Sequence, residues 1–287
     1  MMSHQLMCNH YPLTEWRLLH TGARDGATNM AIDEAILEAV TAGQVPPTLR
    51  FYGWQPPCLS LGFSQPAGNV NLEACTQRGW DIVRRPTGGR AILHVDELTY
   101  SIVAPVDELR VAGSIVESYG RLAAGLLAGL KLLGLEPAEA RPAYPNQGRE
   151  HGLGHPPVCF SGPARYEITI DLRKLVGSAQ SRRLGGVLQH GTLPLEGDIT
   201  RILEGLVFDR PAKRETARVQ LRQRALTLET ALGRVASFAQ AAEAMATGFA
   251  QALNLDLAPA TLTPAEWAAV GRIRAAKYAN HNWTFKR

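Results

Sequence analysis

Cys159 and Lys174 are the two side chains whose types and spacing best suit covalent chemistry in this sequence. Cys159 lies in the Pro/Gly-rich run HPPVCFSG, and Lys174 follows a stretch in which Tyr166, Ile168 and Ile170 alternate with Glu167, Thr169 and Asp171. That alternation has the period of a half-buried strand. A free thiol titrates near 8.5 and is only a few per cent thiolate at neutral pH. A neighbouring ammonium favours the thiolate and makes the sulfur a usable nucleophile. Strands are expected at 166–172, 174–180 and 187–193, with a reversal at Arg173-Lys174 that would turn Lys174 back towards Cys159. The plainer alternative is a small buried cysteine under a loop and a surface lysine. Composition alone favours it, because most lone cysteines are packing residues.

A second cluster is Arg84-Arg85-Pro86-Thr87-Gly88-Gly89-Arg90, expected at a hairpin. Glycines there let a ligand approach the backbone, and exposed N–H groups can hold a carbonyl or phosphate oxygen. A Gly-Gly hairpin with solvated arginines is the competing reading. The run matches neither the dinucleotide fingerprint nor the P-loop, and no GxSxG elbow is present. His151, His155 and Cys159 fall four apart, as metal ligands on a helix would. The intervening Gly152, Gly154, Pro156 and Pro157 argue against a helix, so no metal is expected. His190, in LQHGT, falls in a predicted strand, where a core histidine is the commoner case.

The elements that would position these residues follow from pattern. Strands are expected at 15–20, 48–52 and 58–63, and the unit 81–104 reads as strand, Gly-Gly turn, strand and a further strand at 98–104. A helix at 28–42 places Ile32, Ile36 and Val40 opposite Glu34, Glu38 and Thr41. A short helix at 71–78 is capped by Asn71 and closed by Gly79. Capping boxes at Ser114/Glu117, Ser237/Gln240 and Thr263/Glu266 open three more helices, to about Gly134, Leu253 and Tyr278, and a short one is expected at 199–206. Residues 136–158 form a long Pro-, Gly- and His-rich loop leading into Cys159, read as a mobile gate over the substrate site. The organisation expected is a polar tail (1–14), an α+β domain with a mixed sheet flanked by helices (15–253), and a C-terminal segment packed on the same domain (254–287), with the chain helical beyond Thr192.

With 287 residues, 45% of them hydrophobic, the chain can bury a sizeable core. Its net charge of +4 has no Lys/Arg tail behind it, which weakens a nucleic-acid reading and fits acidic protein partners better. Cys8, Cys58, Cys75 and Cys159 show neither paired nor CxxC spacing, as suits a reducing cytosol. Without signal-peptide order or a membrane-length apolar run, a cytoplasmic protein is expected.

RRPTGGRAILHVDELTYSI, CFSGPARYEI, KLVGSAQSRR and LQHGTL, in this order, resemble the lipoate–biotin protein ligase superfamily, and most closely its LipM-type octanoyltransferases. NMAIDEAIL, TLRFYGWQPPCLSLGFSQ and KYANHNW extend the likeness from about Trp16 to Trp283. The resemblance implies a ligase-like catalytic domain in which Cys159 carries an acyl thioester and Lys174 lowers its pKa. It further implies an acyl pocket lined by Arg84, Arg85, Gly88, Gly89, His94, Gly177, Ser178, Ala179, Gln180 and His190. The expected reaction takes octanoate from octanoyl-acyl carrier protein to the lysine of a lipoyl-domain protein, such as the glycine cleavage H protein or a dehydrogenase E2 subunit. It needs no cofactor, nucleic acid or membrane. Arg84, Arg85, Arg90, Arg182 and Arg183 are candidate docking charges. Three alternatives stay open: an ATP-dependent lipoate ligase, an octanoyl amidotransferase between lipoyl proteins, and a non-catalytic acyl-binding module.

Overall fold

A computed structural model describes residues 11–139 and 167–286. Cys159 and nearly all of the expected gating loop, together with the histidine pair before Cys159, lie outside the described residues, as do residues 1–10 of the expected tail. Within the tail, Tyr11 and Pro12 are held in place. Asn254 donates to the Tyr11 carbonyl at 2.9 Å, and the Arg110 guanidinium covers the Tyr11 ring at 5.0 Å and donates to the Pro12 carbonyl.

In chain order the elements are β1 (Thr14–Arg24), α1 (Gly26–Thr41), β2 (Thr48–Trp54), β3 (Cys58–Leu61), α2 (Leu72–Gln77), β4 (Asp81–Arg84), β5 (Ile92–His94), β6 (Glu97–Pro105) and α3 (Ile115–Leu132). There follow β7 (Ala138–Glu139), β8 (Ile168–Ile170), β9 (Arg173–Arg183), β10 (Gly186–Pro194), α4 (Pro211–Arg224), α5 (Leu228–Leu232), α6 (Phe238–Leu253), β11 (Leu255–Ala260), α7 (Pro264–Ile273) and α8 (His281–Thr284). Eight strands form one mixed sheet in the order β11-β1-β2-β6-β10-β9-β8-β7, and β4-β3-β5 form a second, smaller one. β11 and β2 run parallel to β1, and the remaining large-sheet pairs are antiparallel.

Successive strand residues face opposite ways, so the large sheet builds two cores. Phe51, Tyr100 and Ile102 pack with α3 and α6 around Leu126, Met245 and Phe249. Tyr52, Val103 and Leu188 pack on the other face with α1 and α7. A third core, with Leu59, Leu61 and Cys75, joins the small sheet to α2, α4 and the 3₁₀ turn Ile199–Gly205. The mixed sheet with helices on both sides is the architecture expected from the pattern. All three capping boxes form.

The structure corrects several local expectations. The reversal after β8 is made by Asp171 and Leu172, both with positive φ, one step before Arg173-Lys174. On the α1 face opposite Ile32 and Ile36, Glu38 and Thr41 stay partly exposed but Glu34 does not: it is buried along with Asn29 and Asp33, and all three are satisfied by partners on other elements. The helical run opened by Thr263 does reach Tyr278, but its last turn is not α. A wider π turn (Arg274–Tyr278) follows α7, and α8 lies beyond. The region after β10 is not all helical, because β11 adds an edge strand beside β1.

Candidate active site

β2, β3, β5 and β6 converge with β9 and β10 on one open pocket. It is lined by Met30, Tyr52, Trp54, Ser60, Arg85, Gly89, Ile92, His94, Thr99, Gly177, Ser178, Ala179, His190, Gly191 and Thr192, and holds about 450 Å³ of empty space measured out to its mouth. The walls combine apolar surface with a few convergent polar groups, as small-molecule sites do.

The polar groups are linked to one another. Glu97 accepts from Thr99 and Thr192 and lies 2.7 Å from His94 Nδ1. His94 Nε2 is 2.7 Å from Ser60 Oγ, and its ring stacks on Trp54 with centroids 4.0 Å apart. Trp54 donates from its indole to Thr99 at 2.7 Å. Each ring is thereby fixed by a neighbour and by a bond, so the pocket is preorganised.

A second network lies beneath it. Arg50 and Asp33, both fully buried, pair at 2.6 Å, while Ser101 and Tyr52 also donate to Asp33. His190 Nδ1 lies 3.5 Å from the same carboxylate, and its Nε2 is 2.6 Å from Thr87 Oγ1. Burial raises the Asp33 pKa, but Arg50 and the hydrogen bonds outweigh it and hold the group below the ordinary carboxylate range. Burial lowers the His190 pKa against the pull of Asp33, leaving a neutral imidazole.

Of the site residues expected from sequence, Arg85, Gly89, His94, Gly177, Ser178, Ala179 and His190 line this pocket together. Arg84, Gly88 and Gln180 do not. Arg84 is fully buried, donating to the carbonyls of Gly62 (2.8 Å), Gln65 (2.7 Å) and Thr284 (2.9 Å). Gly88 gives its carbonyl to Arg85 at 2.8 Å. Gln180 bridges Ser118 and Gln189 on the α3 side. Arg84 and Arg85 are therefore not surface docking charges: both hold loop carbonyls in the interior. Arg182 is tied to the carbonyls of Val111 and Gly113, and Arg183 pairs with Glu34 at 2.6 Å.

Lys174 is buried on β9, ion-paired with Glu167, and is not among the residues lining the pocket. Its strand continues to Gly177–Ala179 at the pocket wall. The register with β8 stops at Val176, so from Gly177 on β9 has no strand on that side among the described residues. Gly191 on β10 sits hard against this segment. A Cβ there would stand 2.5 Å from Tyr100 Cε1 and 2.6 Å from the Gly177 carbonyl. Gly62 is likewise obligatory: a Cβ would fall 1.9 Å from the Gly89 carbonyl, so the pocket loop packs directly on backbone.

Sequence reasoning missed Met30, Tyr52, Trp54, Ser60, Ile92, Thr99, Gly191 and Thr192. The stretches holding most of them resemble the superfamily, but their convergence is set by sheet order. Among the described residues there is no group of His, Cys, Asp and Glu that would hold a metal, and no helix long and apolar enough to cross a membrane.

Comparison with known proteins places the fold and the family. The lipoyl protein ligase A/B catalytic domain matches residues 25–250. Proteins named octanoyltransferase LipM are similar along nearly the whole chain. That of Symbiobacterium thermophilum is 44% identical over 96% of this chain and 99% of its own. That of Kyrpidia tusciae is 42% identical over 95% and 99%. A bipartite lipoate protein ligase of Thermoplasma acidophilum, studied with its E2 lipoyl domain, shares the fold with a TM-score of 0.78 at 23% identity, covering 95% of this chain and 96% of its own. A lipoate-protein ligase A bound with ATP gives 0.74 at 23% identity, covering 96% and 99%. By the span of the domain match and the identity of these relatives, the chain belongs to the lipoyl protein ligase A/B catalytic domain family.

Proposed function

We propose that this chain is an acyltransferase of protein lipoylation, moving an octanoyl group from octanoyl-acyl carrier protein to the lysine of a lipoyl domain through a thioester on Cys159. The observation that carries the reading is the near full-length identity to octanoyltransferases, 42–44% in the two relatives above. The pocket is consistent with it. Burying the methylenes of an octanoyl chain at ~0.8 kcal/mol each would contribute roughly 5 kcal/mol to binding.

In the first step the Cys159 thiolate attacks the thioester carbonyl, the carrier's thiolate leaves, and the acyl group passes to the enzyme. Thioester is exchanged for thioester, so this step is nearly balanced. In the second step the lysine amine attacks the acyl-enzyme. The C–S bond breaks, the amine proton passes to the sulfur or to a nearby base, and the amide draws the reaction forward. Backbone N–H groups of β9 beyond Val176, where β8 no longer pairs, are candidates to hold the developing oxyanion; one such donor is worth about 3 kcal/mol. Lys174 supplies the cation that favours the thiolate, with Glu167 fixing its ammonium. Two other cysteines, Cys58 and Cys75, are buried with thiols pushed up by burial, and so are poor nucleophiles.

Intact mass after mixing with octanoyl carrier protein tests the proposal. A hydroxylamine-labile octanoyl adduct absent from Cys159→Ala supports it. Strong transfer from octanoate and ATP without any thioester donor would replace it with an adenylating ligase, and full turnover by Cys159→Ala would end it.

A further inference from the structure

A dense run of positive charge lies outside the pocket lining, on α4. Residues 209–224 hold Arg210, Lys213, Arg214, Arg218, Arg222 and Arg224 against only Asp209 and Glu215, a local +4 that equals the net charge of the entire chain. Only Ala217 and Leu221 of the helix are buried.

Local folding gains little from this arrangement. The helix N-cap is Arg210, with no side-chain cap bond, and the first turn has no acidic residue. Lys213 and Arg214 follow, so cations crowd the end where the helix dipole is already positive. Arg214, Arg218 and Arg222 stand one turn apart along one stripe, a spacing at which like charges repel. Two of their ion pairs are exposed and exchangeable, Lys213 with Asp209 at 2.6 Å and Arg222 with Asp198 at 3.1 Å, while the half-buried Arg218 meets Glu215 at 3.3 Å and the half-buried Arg214 lies over Phe208. Val219, also exposed, offers an apolar contact one turn before Arg222.

The placement links this surface to the chemistry. Ala225, the residue closing α4, bridges to Lys174, and Leu226 donates its N–H to the Lys174 carbonyl at 3.1 Å. Lys174 precedes Gly177 at the pocket wall by three residues, about 10 Å along a strand, and α4 itself is about 21 Å long. A protein docked along α4 thus stands beside β9 but set back from the pocket. That offset suits a substrate delivered on a long flexible arm. An acceptor lysine, on its own short side chain, needs its domain at the mouth.

We propose that α4 is the docking surface for the acidic carrier domain that brings the acyl thioester; this rests on the acyl-transfer reading above. Carboxylates on such a domain would replace the weak pairs of α4 and complement the stripe. The interleaved Asp198, Asp209 and Glu215 make a phosphate backbone the poorer match.

The test is the triple variant Arg210→Glu, Lys213→Glu, Arg222→Glu in the full chain, compared with the same three positions changed to Gln. Acyl-enzyme formation is followed with octanoyl carrier protein and with octanoyl-pantetheine. At low salt the Glu variant should lose at least tenfold in kcat/KM for the carrier donor, chiefly through KM. It should stay within twofold of wild type on the small thioester, which also reports an intact fold. The Gln variant should fall between, and added salt should shrink the gap. Carrier kinetics within twofold of wild type overturn the proposal, as does equal loss on both donors. So does an effect confined to the acceptor's KM, or lost binding of a short RNA with unchanged carrier kinetics. Wild-type enzyme that forms no adduct from either donor defeats the acyl-transfer reading itself, and this proposal with it.

Discussion

His190 Nε2 and Thr87 Oγ1 lie 2.6 Å apart, so one buried bond joins a central strand of the large sheet to the Gly-Gly loop bordering the pocket. In the tautomer that turns Nδ1–H towards Asp33, 3.5 Å away, the second nitrogen accepts from the Thr87 hydroxyl. The loop is also held from within by Arg85, which donates to the carbonyls of Gly88 and Arg90, both at 2.8 Å. Thr87→Val keeps the shape but leaves the imidazole nitrogen unsatisfied in a buried site, which costs about 1–3 kcal/mol. Urea denaturation should show that loss, and KM for a small octanoyl thioester should rise more than kcat falls.

The same histidine sets an acid limit on stability. Burial holds its pKa below the unfolded value of about 6.5. The unfolded chain therefore takes up the proton first, so this contribution is full above pH ~6.5 and is lost as pH falls through the window below. Asp33 is depressed from 3.8, chiefly by Arg50 acting against burial, and adds a second loss only below the carboxylate range. Unfolding free energies measured from pH 7.5 to 5 should slope downward for the wild type. His190→Asn should be less stable throughout but flatter over that window. Equal slopes would show that His190 is not the titrating group.

Asp33 and Arg50 show why part of this fold is legible in sequence and part is not. The capping boxes and the strand signals at 48–52, 98–104 and 187–193 are short-range, and each formed where the pattern put it. In α1, by contrast, Glu34 reads as part of a polar face opposite Ile32 and Ile36, and Asp33 carries no local signal, yet both are buried. They are buried because Arg50 on β2, and Lys277 and Tyr278 after α7, come back to meet them. α4 gave no apolar stripe to read, since two buried residues suffice to seat it. β11 pairs with a strand some 240 residues earlier, which no local pattern announces. In the pocket, Gly89 and the segment 177–179 belong to stretches that carried the family resemblance, while Ser60, Thr99 and Thr192 are ordinary strand residues until sheet order gathers them.

Removing one partner of the Asp33–Arg50 pair should be among the most damaging single changes. Both side chains are fully buried at 2.6 Å, and an orphaned buried charge typically costs about 3–5 kcal/mol. Asp33→Asn also weakens the bonds from Ser101 and Tyr52. The double change Asp33→Asn, Arg50→Met should cost less than the two single costs added together, because it removes both charges at once. A thermal-denaturation double-mutant cycle measures the coupling; strict additivity would mean that the pair is not energetically linked.

Lys174 and Glu167 offer a test of how the thiol is activated. Under the proposed mechanism Lys174→Met removes the cation that favours the Cys159 thiolate, and acyl-enzyme formation should fall on the order of 100-fold, the scale typical of one catalytic proton or charge partner. Glu167→Gln leaves the ammonium but frees it from its ion pair, so a smaller loss, roughly tenfold, is expected. Iodoacetamide alkylation of Cys159 against pH separates positioning from charge: its midpoint should move to higher pH in Lys174→Met. An unmoved midpoint would assign the lysine to proton transfer in the second step rather than to thiolate formation.

Gly191→Ala probes the pocket wall with a single methyl group. Gly191 is paired with Ser178 across β10 and β9, and the added carbon would stand 2.5 Å from Tyr100 Cε1, 2.6 Å from the Gly177 carbonyl and 2.7 Å from Ser178 Oγ. None of these yields easily. Tyr100 packs against Phe249 with centroids 5.8 Å apart, and its hydroxyl is bonded to Ser178 and Gln189. The strain is relieved most readily by moving β9 outward, since from Gly177 on that strand lacks a neighbour on the β8 side among the described residues. Overpacking of this kind costs about 1–3 kcal/mol. The same shift carries the backbone of Gly177–Ala179 away from the pocket and from any acyl carbonyl held there. Gly191→Ala should therefore lose more in kcat than its modest destabilisation implies. Gly185→Ala, at a hairpin turn with positive φ and open space around its Cβ, should cost stability while leaving kcat intact. Matched losses of kcat in the two variants would mean that the wall at Gly177–Ala179 has no special part in the chemistry.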